Sequence, residues 1–286
     1  MNKAVQILVP LILVLALAAT VAGLWPAEGT PYPAVSVRGE QITVNARGLY
    51  YWDTVSSAAQ MRANDLVTLA LALPLLLASF IMALRGSLRA RIVLAGTLAF
   101  ILYTYITMAF GAQFNALFPV YVGLFGSSLY CLIFVMMGFD LPSLPSAFSD
   151  RLPRKGIAGL LFFAALFLTL AWSGRIAAGY GKGATPLLEN GTSMFIQAMD
   201  LSLVVPLCVV AGVLLLRKKP WGYLLASVGL VKFTTLGIAV SLMALNMLRS
   251  GVTVSPAELA IFPAMALAGL VATVALISNI SGKGKA

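Results

Sequence analysis

Lys232 lies near the middle of the apolar run from Trp221 to Met247, which is long enough to cross a bilayer. An ionisable group at that depth costs at least about 2.5–3.5 kcal/mol on insertion scales, so it faces a bundle interior and finds a partner there. Lys232 is eleven residues from Trp221, which puts it about 16 Å deep at ~1.5 Å per helical residue. The same count from Leu216 puts Asp200 at roughly 24 Å, and Tyr103 and Tyr105 at roughly 18–21 Å from their own inner boundary. Asp65 stands at the outer mouth of its apolar run. Thr235 lies one turn beyond Lys232, Gln197 just before Asp200, and Asn115 at an outer turn. A lysine supplies a point charge with three donors, and hydroxyls and amides complete the hydrogen bonds around a bound group. The expectation is a polar cavity in the outer half of the bilayer, with Lys232 as its floor and Asp65, Asp200 and the tyrosines as its walls. Its ligand-binding residues would be Lys232, Asp200, Asp65, Tyr103, Tyr105, Thr235, Gln197 and Asn115. Its ligand would be a small anionic, zwitterionic or lipid-like molecule.

Other readings of these residues stay open. Lys232 and Asp200 would also satisfy each other as a buried structural pair. Asp65 and Asp200 would also serve as N-terminal helix caps, where acids are favoured. Tyr103 and Tyr105 are two apart on a helix and cannot share a face. An outward-facing enzyme would use the two acids as acid–base groups and Lys232 as a Schiff-base residue. A sensor or assembly factor would work through the outer segment 26–64.

The chain has 286 residues, of which 60% are hydrophobic and 10% charged, far below the roughly 25% charged of soluble domains. Apolar runs at 4–25, 65–84, 92–111, 118–139, 156–174, 196–216, 221–247 and 258–280 predict eight spans. The fold class is therefore an all-α polytopic membrane protein. The first run exceeds a typical signal-peptide core and is read as an uncleaved anchor. Histidine is absent, which excludes His-ligated haem, H-E-x-x-H zinc chemistry and Ser-His or Cys-His dyads. Cys131 and Cys208 sit inside apolar runs without a C-x-x-C partner, so neither a disulfide framework nor a zinc site is expected. No cofactor is expected.

The net charge of +10 lies mostly in short loops, which points to membrane orientation and anionic lipid and away from nucleic acid. Lys3, Arg85, Arg89, Arg91, Arg151, Arg154, Lys155, Arg217, Lys218, Lys219, Lys283 and Lys285 fall on one side. Arg38, Arg47, Arg62, Arg175, Lys182 and Arg249 fall on the other. The positive-inside rule puts the richer side, and with it both termini, in the cytoplasm.

The outer segment 26–64 carries two β-like stretches, Ala34–Arg38 and Gln41–Asn45, followed by an interfacial helix over Trp52–Asn64. The second outer segment, 175–195, is rich in glycine (Gly179, Gly181, Gly183). The proline-rich inner stretch 140–155 separates two four-span halves, 1–139 and 156–286. Ala63-Asn64-Asp65-Leu66 parallels Ala198-Met199-Asp200-Leu201, with Pro74 and Pro206 following and a basic inner turn closing each span. Two parallel four-helix repeats are expected, related about the membrane normal, with a site between them.

From Gln197 to Leu245 the D-L-x-L-V-V-P-L run, the basic-Pro-Trp-Gly-Tyr turn and the Val-Lys pair of the next helix resemble a segment of prokaryotic eight-span integral membrane proteins. The resemblance covers about a sixth of the chain. It implies the cytoplasmic (inner) membrane of a prokaryote and brings no activity with it.

Overall fold

A computed structural model describes residues 1–181 and 187–281; Lys182, Gly183, Lys283 and Lys285 lie outside the described residues. Eight helices are long and apolar enough to span a membrane: α1 (Lys3–Leu24), α2 (Val55–Leu84), α3 (Leu88–Gly111), α4 (Phe118–Met137), α5 (Arg154–Ala178), α6 (Phe195–Leu216), α7 (Pro220–Arg249) and α8 (Pro256–Ser278). The protein is thus a multi-pass, all-α membrane protein with one small two-stranded sheet among the described residues. Large apolar side chains such as Ile7, Val14, Leu170 and Val271 are exposed along the helices, as a lipid-facing surface requires.

Within the first half, α1 packs on α2 and α4, and α3 packs on α2 and α4. Within the second, α6 packs between α5 and α7, and α8 lies along α7. The halves meet where α7 packs on α2 and α3. Gly96 makes the α3–α7 contact close: a Cβ there would fall 2.4 Å from Val231 Cβ. This brings α3 directly against the neighbour of Lys232.

The β-like stretches form an antiparallel hairpin, β1 (Tyr32–Val35) and β2 (Gln41–Val44). The first strand ends before Ser36 because Ser36–Gly39 closes the turn, with Gly39 at φ +82 donating to the Ser36 carbonyl. The expected interfacial helix Trp52–Asn64 is instead the opening of the 30-residue α2, capped by the Thr54 hydroxyl, which accepts from Ser57 N–H. Its polar residues Asn64 and Asp65 are buried against the protein.

Two helices carry the same local irregularity. In α2 a π-helical turn runs over Thr68–Ala72, with Leu73 N–H bonded to the Thr68 carbonyl, and Pro74 follows. In α6 a π turn runs over Asp200–Val204, with Val205 N–H bonded to the Asp200 carbonyl, and Pro206 follows. A proline inside a helix lacks a donor and crowds the carbonyl four residues back, and a widened turn relieves both. Each helix then ends in the same basic turn. Arg85 has φ −82 and ψ 8, and Arg217 has φ −79 and ψ 5; Gly86 and Lys218 follow at positive φ. All these paired positions are 132 residues apart. That register pairs Thr68 with Asp200 and Asp65 with Gln197, one helical turn away from the Asp-to-Asp register suggested by the sequence.

Candidate functional site

Two of the buried acids, Asp200 and Asp65, each anchor a polar cluster. Asp200 opens the π turn of α6 and is buried. Its Oδ1 accepts from Tyr103 Oη on α3 at 2.9 Å, and its Oδ2 accepts from Trp172 Nε1 on α5 at 2.9 Å. Lys232 Nζ rests 4.0 Å from the centroid of the Tyr103 ring. Among the described residues no carboxylate oxygen comes within 4.0 Å of that ammonium. The order across the helices is therefore ammonium, aromatic face, phenol, carboxylate, indole. A cation on a desolvated aromatic face gains about 2 kcal/mol, and the phenol transmits polarity from the lysine to the acid.

The arrangement follows from the parallel course of α3 and α7. Counted from their N-terminal ends, Tyr103 stands about 4.5 Å further along α3 than Lys232 does along α7, within reach of the lysine side chain. Gln197 is buried one turn before Asp200. Thr235 is buried on α7, but its hydroxyl donates to the Val231 carbonyl at 3.0 Å. Thr234 reaches across to Thr273 of α8 at 2.9 Å.

Asp65 belongs to the second cluster. It is buried in α2, and its Oδ2 accepts from Tyr50 Oη at 2.6 Å. Tyr50 comes from the outer segment, where burial, reinforced by the Asp65 carboxyl, pushes its phenol well above the usual value, so it stays a donor. Gly23 of α1 lies against this bond: a Cβ there would sit 1.9 Å from Asp65 Oδ2. Tyr105 is buried on α3 with its ring 6.2 Å from that of Tyr121, and neither phenol oxygen has a hydrogen-bond partner among the described residues.

Of the sequence-predicted residues, Lys232, Tyr103 and Asp200 meet, with Gln197 and Thr235 on adjacent turns. Asp65 and Tyr105 face other partners. Asn115 shapes the α3–α4 turn, accepting from Leu117 N–H at 2.9 Å and donating to the Gln113 carbonyl at 3.3 Å. The single cavity wall expected to hold both acids is thus two separate polar clusters. Neither acid caps its helix. Thr54 caps α2, eleven residues before Asp65, and Asp200 is the sixth residue of α6. Sequence reasoning missed Tyr50 and Trp172, whose types alone gave no sign that each would reach a carboxylate across a loop.

At the outer end the hairpin, the start of α2, the end of α7 and Glu189 enclose a polar cavity of about 680 Å³. Beside it, Asp53 is buried and accepts from Gln113 N–H at 3.1 Å and Ser57 Oγ at 3.4 Å. Burial pushes its carboxyl up to about 6 against the pull of those two bonds, and the Glu189 charge adds to the rise. Among the described residues no three His, Cys, Asp or Glu side chains group to hold a metal.

No family model matches the chain, and neither the curated proteins nor the solved structures contain a match.

Proposed function

We propose that this protein binds, and carries across the cytoplasmic membrane of a prokaryote, a small anionic, zwitterionic or lipid-like molecule at the centre formed by Lys232, Tyr103 and Asp200. The observation that carries this reading is the division of partners. Asp200 is served by two neutral donors, whereas the Lys232 ammonium makes no hydrogen bond to any described residue and rests on an aromatic face. A purely structural ion pair would bring the two into direct contact, since a buried pair offsets its desolvation only through close geometry and hydrogen bonding. Instead the lysine keeps donors for a ligand oxygen, and the acid stands one aromatic ring away, where the cationic end of a zwitterion can meet it.

The paired π turns support a transport reading. Interrupted helices at corresponding positions of two halves are the feature from which transporter sites are built. We infer a duplication from the common register of 132 residues, with a pseudo-twofold axis near the membrane normal passing between α3 and α7, the helices that carry Tyr103 and Lys232. The loop-charge bias favours cytoplasmic termini. The segment resembling prokaryotic membrane proteins contains Asp200 and Lys232 and favours the inner membrane.

The test is a pair of variants in detergent. Lys232→Met is expected to fold and to lose the thermal stabilisation that total lipid extract or organic anions give the wild type. If Lys232→Met is instead strongly destabilised, Asp200→Asn restores it, and the wild type responds to no ligand, the pair is structural and the proposal fails.

A further inference from the structure

We infer a second ligand site, separate from the lysine centre, in the outer cavity: it takes a phosphate or carboxylate group between Arg62 and Arg249. Arg62, Arg249 and Arg47 all line the 680 Å³ cavity. The cavity's acids are already engaged. Glu40 Oε2 accepts from Leu188 N–H at 3.2 Å and Glu189 N–H at 2.9 Å, and the Glu189 carboxylate accepts from the Thr54 hydroxyl. Arg47 spends its Nε on the Gly29 carbonyl at 2.7 Å. Among the described residues Arg62 and Arg249 have no carboxylate within 4.0 Å, and Arg62 Nε is buried with no hydrogen-bond partner.

A buried guanidinium N–H left without an acceptor is costly, and an oxyanion with several lone pairs is the group that relieves it. The cavity adds a second attraction. Val55 and Ser56, the first residues of α2, line it, so the free N–H groups of that 30-residue helix open toward the same space. Asn246 donates to the Ala59 carbonyl at 2.7 Å and ties α7 to α2 within the lining of the cavity. The volume suits a phosphate with an organic substituent, within the range of small-molecule pockets. Such a group can arrive as a soluble anion or as the head group of a lipid in the outer leaflet.

The experiment titrates inorganic phosphate against the detergent-purified full chain at ionic strength held constant with sodium chloride, reading the melting temperature. A second arm compares nanodiscs of phosphatidylcholine with and without phosphatidylglycerol. Wild type is expected to be stabilised in at least one arm; phosphate alone marks a soluble ligand, and phosphatidylglycerol alone marks a head group. Arg249→Gln, at an exposed position that the fold tolerates, is expected to weaken the response about tenfold or more, as the loss of a charged hydrogen bond does. Arg62→Gln is expected to do the same, and Lys219→Gln at the opposite end to leave it unchanged. Lys232→Met is expected to leave a response to phosphate or phosphatidylglycerol that Arg249→Gln still reduces, which separates this site from the lysine centre. No response in either arm, or a response equal in wild type and Arg249→Gln, overturns the inference.

Discussion

Replacing Gly23 by alanine tests the packing that holds Asp65. The new Cβ would lie 1.9 Å from Asp65 Oδ2 and 2.8 Å from Tyr50 Oη, so the carboxyl, the phenol or the end of α1 must move. Forcing a methyl group into packed surroundings costs about 1–3 kcal/mol. If the shift breaks the 2.6 Å Tyr50–Asp65 bond, a buried donor and a buried acceptor lose each other, for about 1–3 kcal/mol more. Gly23→Ala should therefore destabilise the protein by roughly 2–6 kcal/mol. The assay is equilibrium unfolding in mixed detergent micelles as a double-mutant cycle with Asp65→Ala. Asp65→Ala alone strands the Tyr50 phenol and leaves a void. In the double variant the alanine methyl occupies space vacated by the carboxyl. The double variant should then be more stable than the sum of the singles by about 1–3 kcal/mol. A Gly23→Ala protein within about 0.5 kcal/mol of wild type, or strict additivity, would refute the argument.

Two other outcomes follow from the outer face and the loop charges. Asp53 has a folded pKa raised to about 6, so the folded state holds its proton more tightly than the unfolded chain. The cost of ionising it sets in as pH rises from about 4 to about 6 and persists above. Asp53→Asn should flatten that dependence and gain on the order of 2 kcal/mol at neutral pH, read from melts across the range; an unchanged pH profile would discard the assignment. A cysteine at Gly181 should react with an impermeant maleimide added outside intact cells, and one at Gly156 only after permeabilisation. The opposite pattern inverts the orientation.

The eight spans were legible because apolar runs of bilayer length admit few other folds, and their observed limits differ from the expected ones by a few residues, except at α2. There the polar stretch before Asp65 reads as a surface helix, because Arg62, Asn64 and Asp65 are costly against lipid. In the structure Asn64 and Asp65 are buried against protein. Pro74 and Pro206 marked two irregular helices, but their π turns were not legible, since they depend on how each proline is accommodated. Depth alone grouped Lys232, Tyr103 and Asp200, and these three side chains are neighbours in the structure. Depth also grouped Asp65 and Tyr105 with them, and there it failed, because height along the bilayer says nothing of which face a helix turns to which neighbour. Arg62 and Arg249 were legible only as loop charges; 187 residues separate them, and the cavity between them exists only once α2 and α7 pack.

The hydrogen bonds at the two ends of the bundle bear on how the protein comes apart. At the basic end Arg89 Nε of the first half donates to the Ile280 carbonyl at 3.2 Å, and Ser149 N–H donates to the Asn279 carbonyl at 2.8 Å. At the other end the 187–192 stretch is held by Glu40, Thr54, Arg38 and Gln113, and Asn190 Nδ2 donates to the Trp52 carbonyl at 2.7 Å. Each half thus supplies the partners for loop backbone belonging to the other. A chain whose sequence divides into two four-helix parts is in this sense a single cooperative unit. Its denaturation should be one transition, and two fragments cut within 140–153 should recover the native state only when both are present in the same membrane.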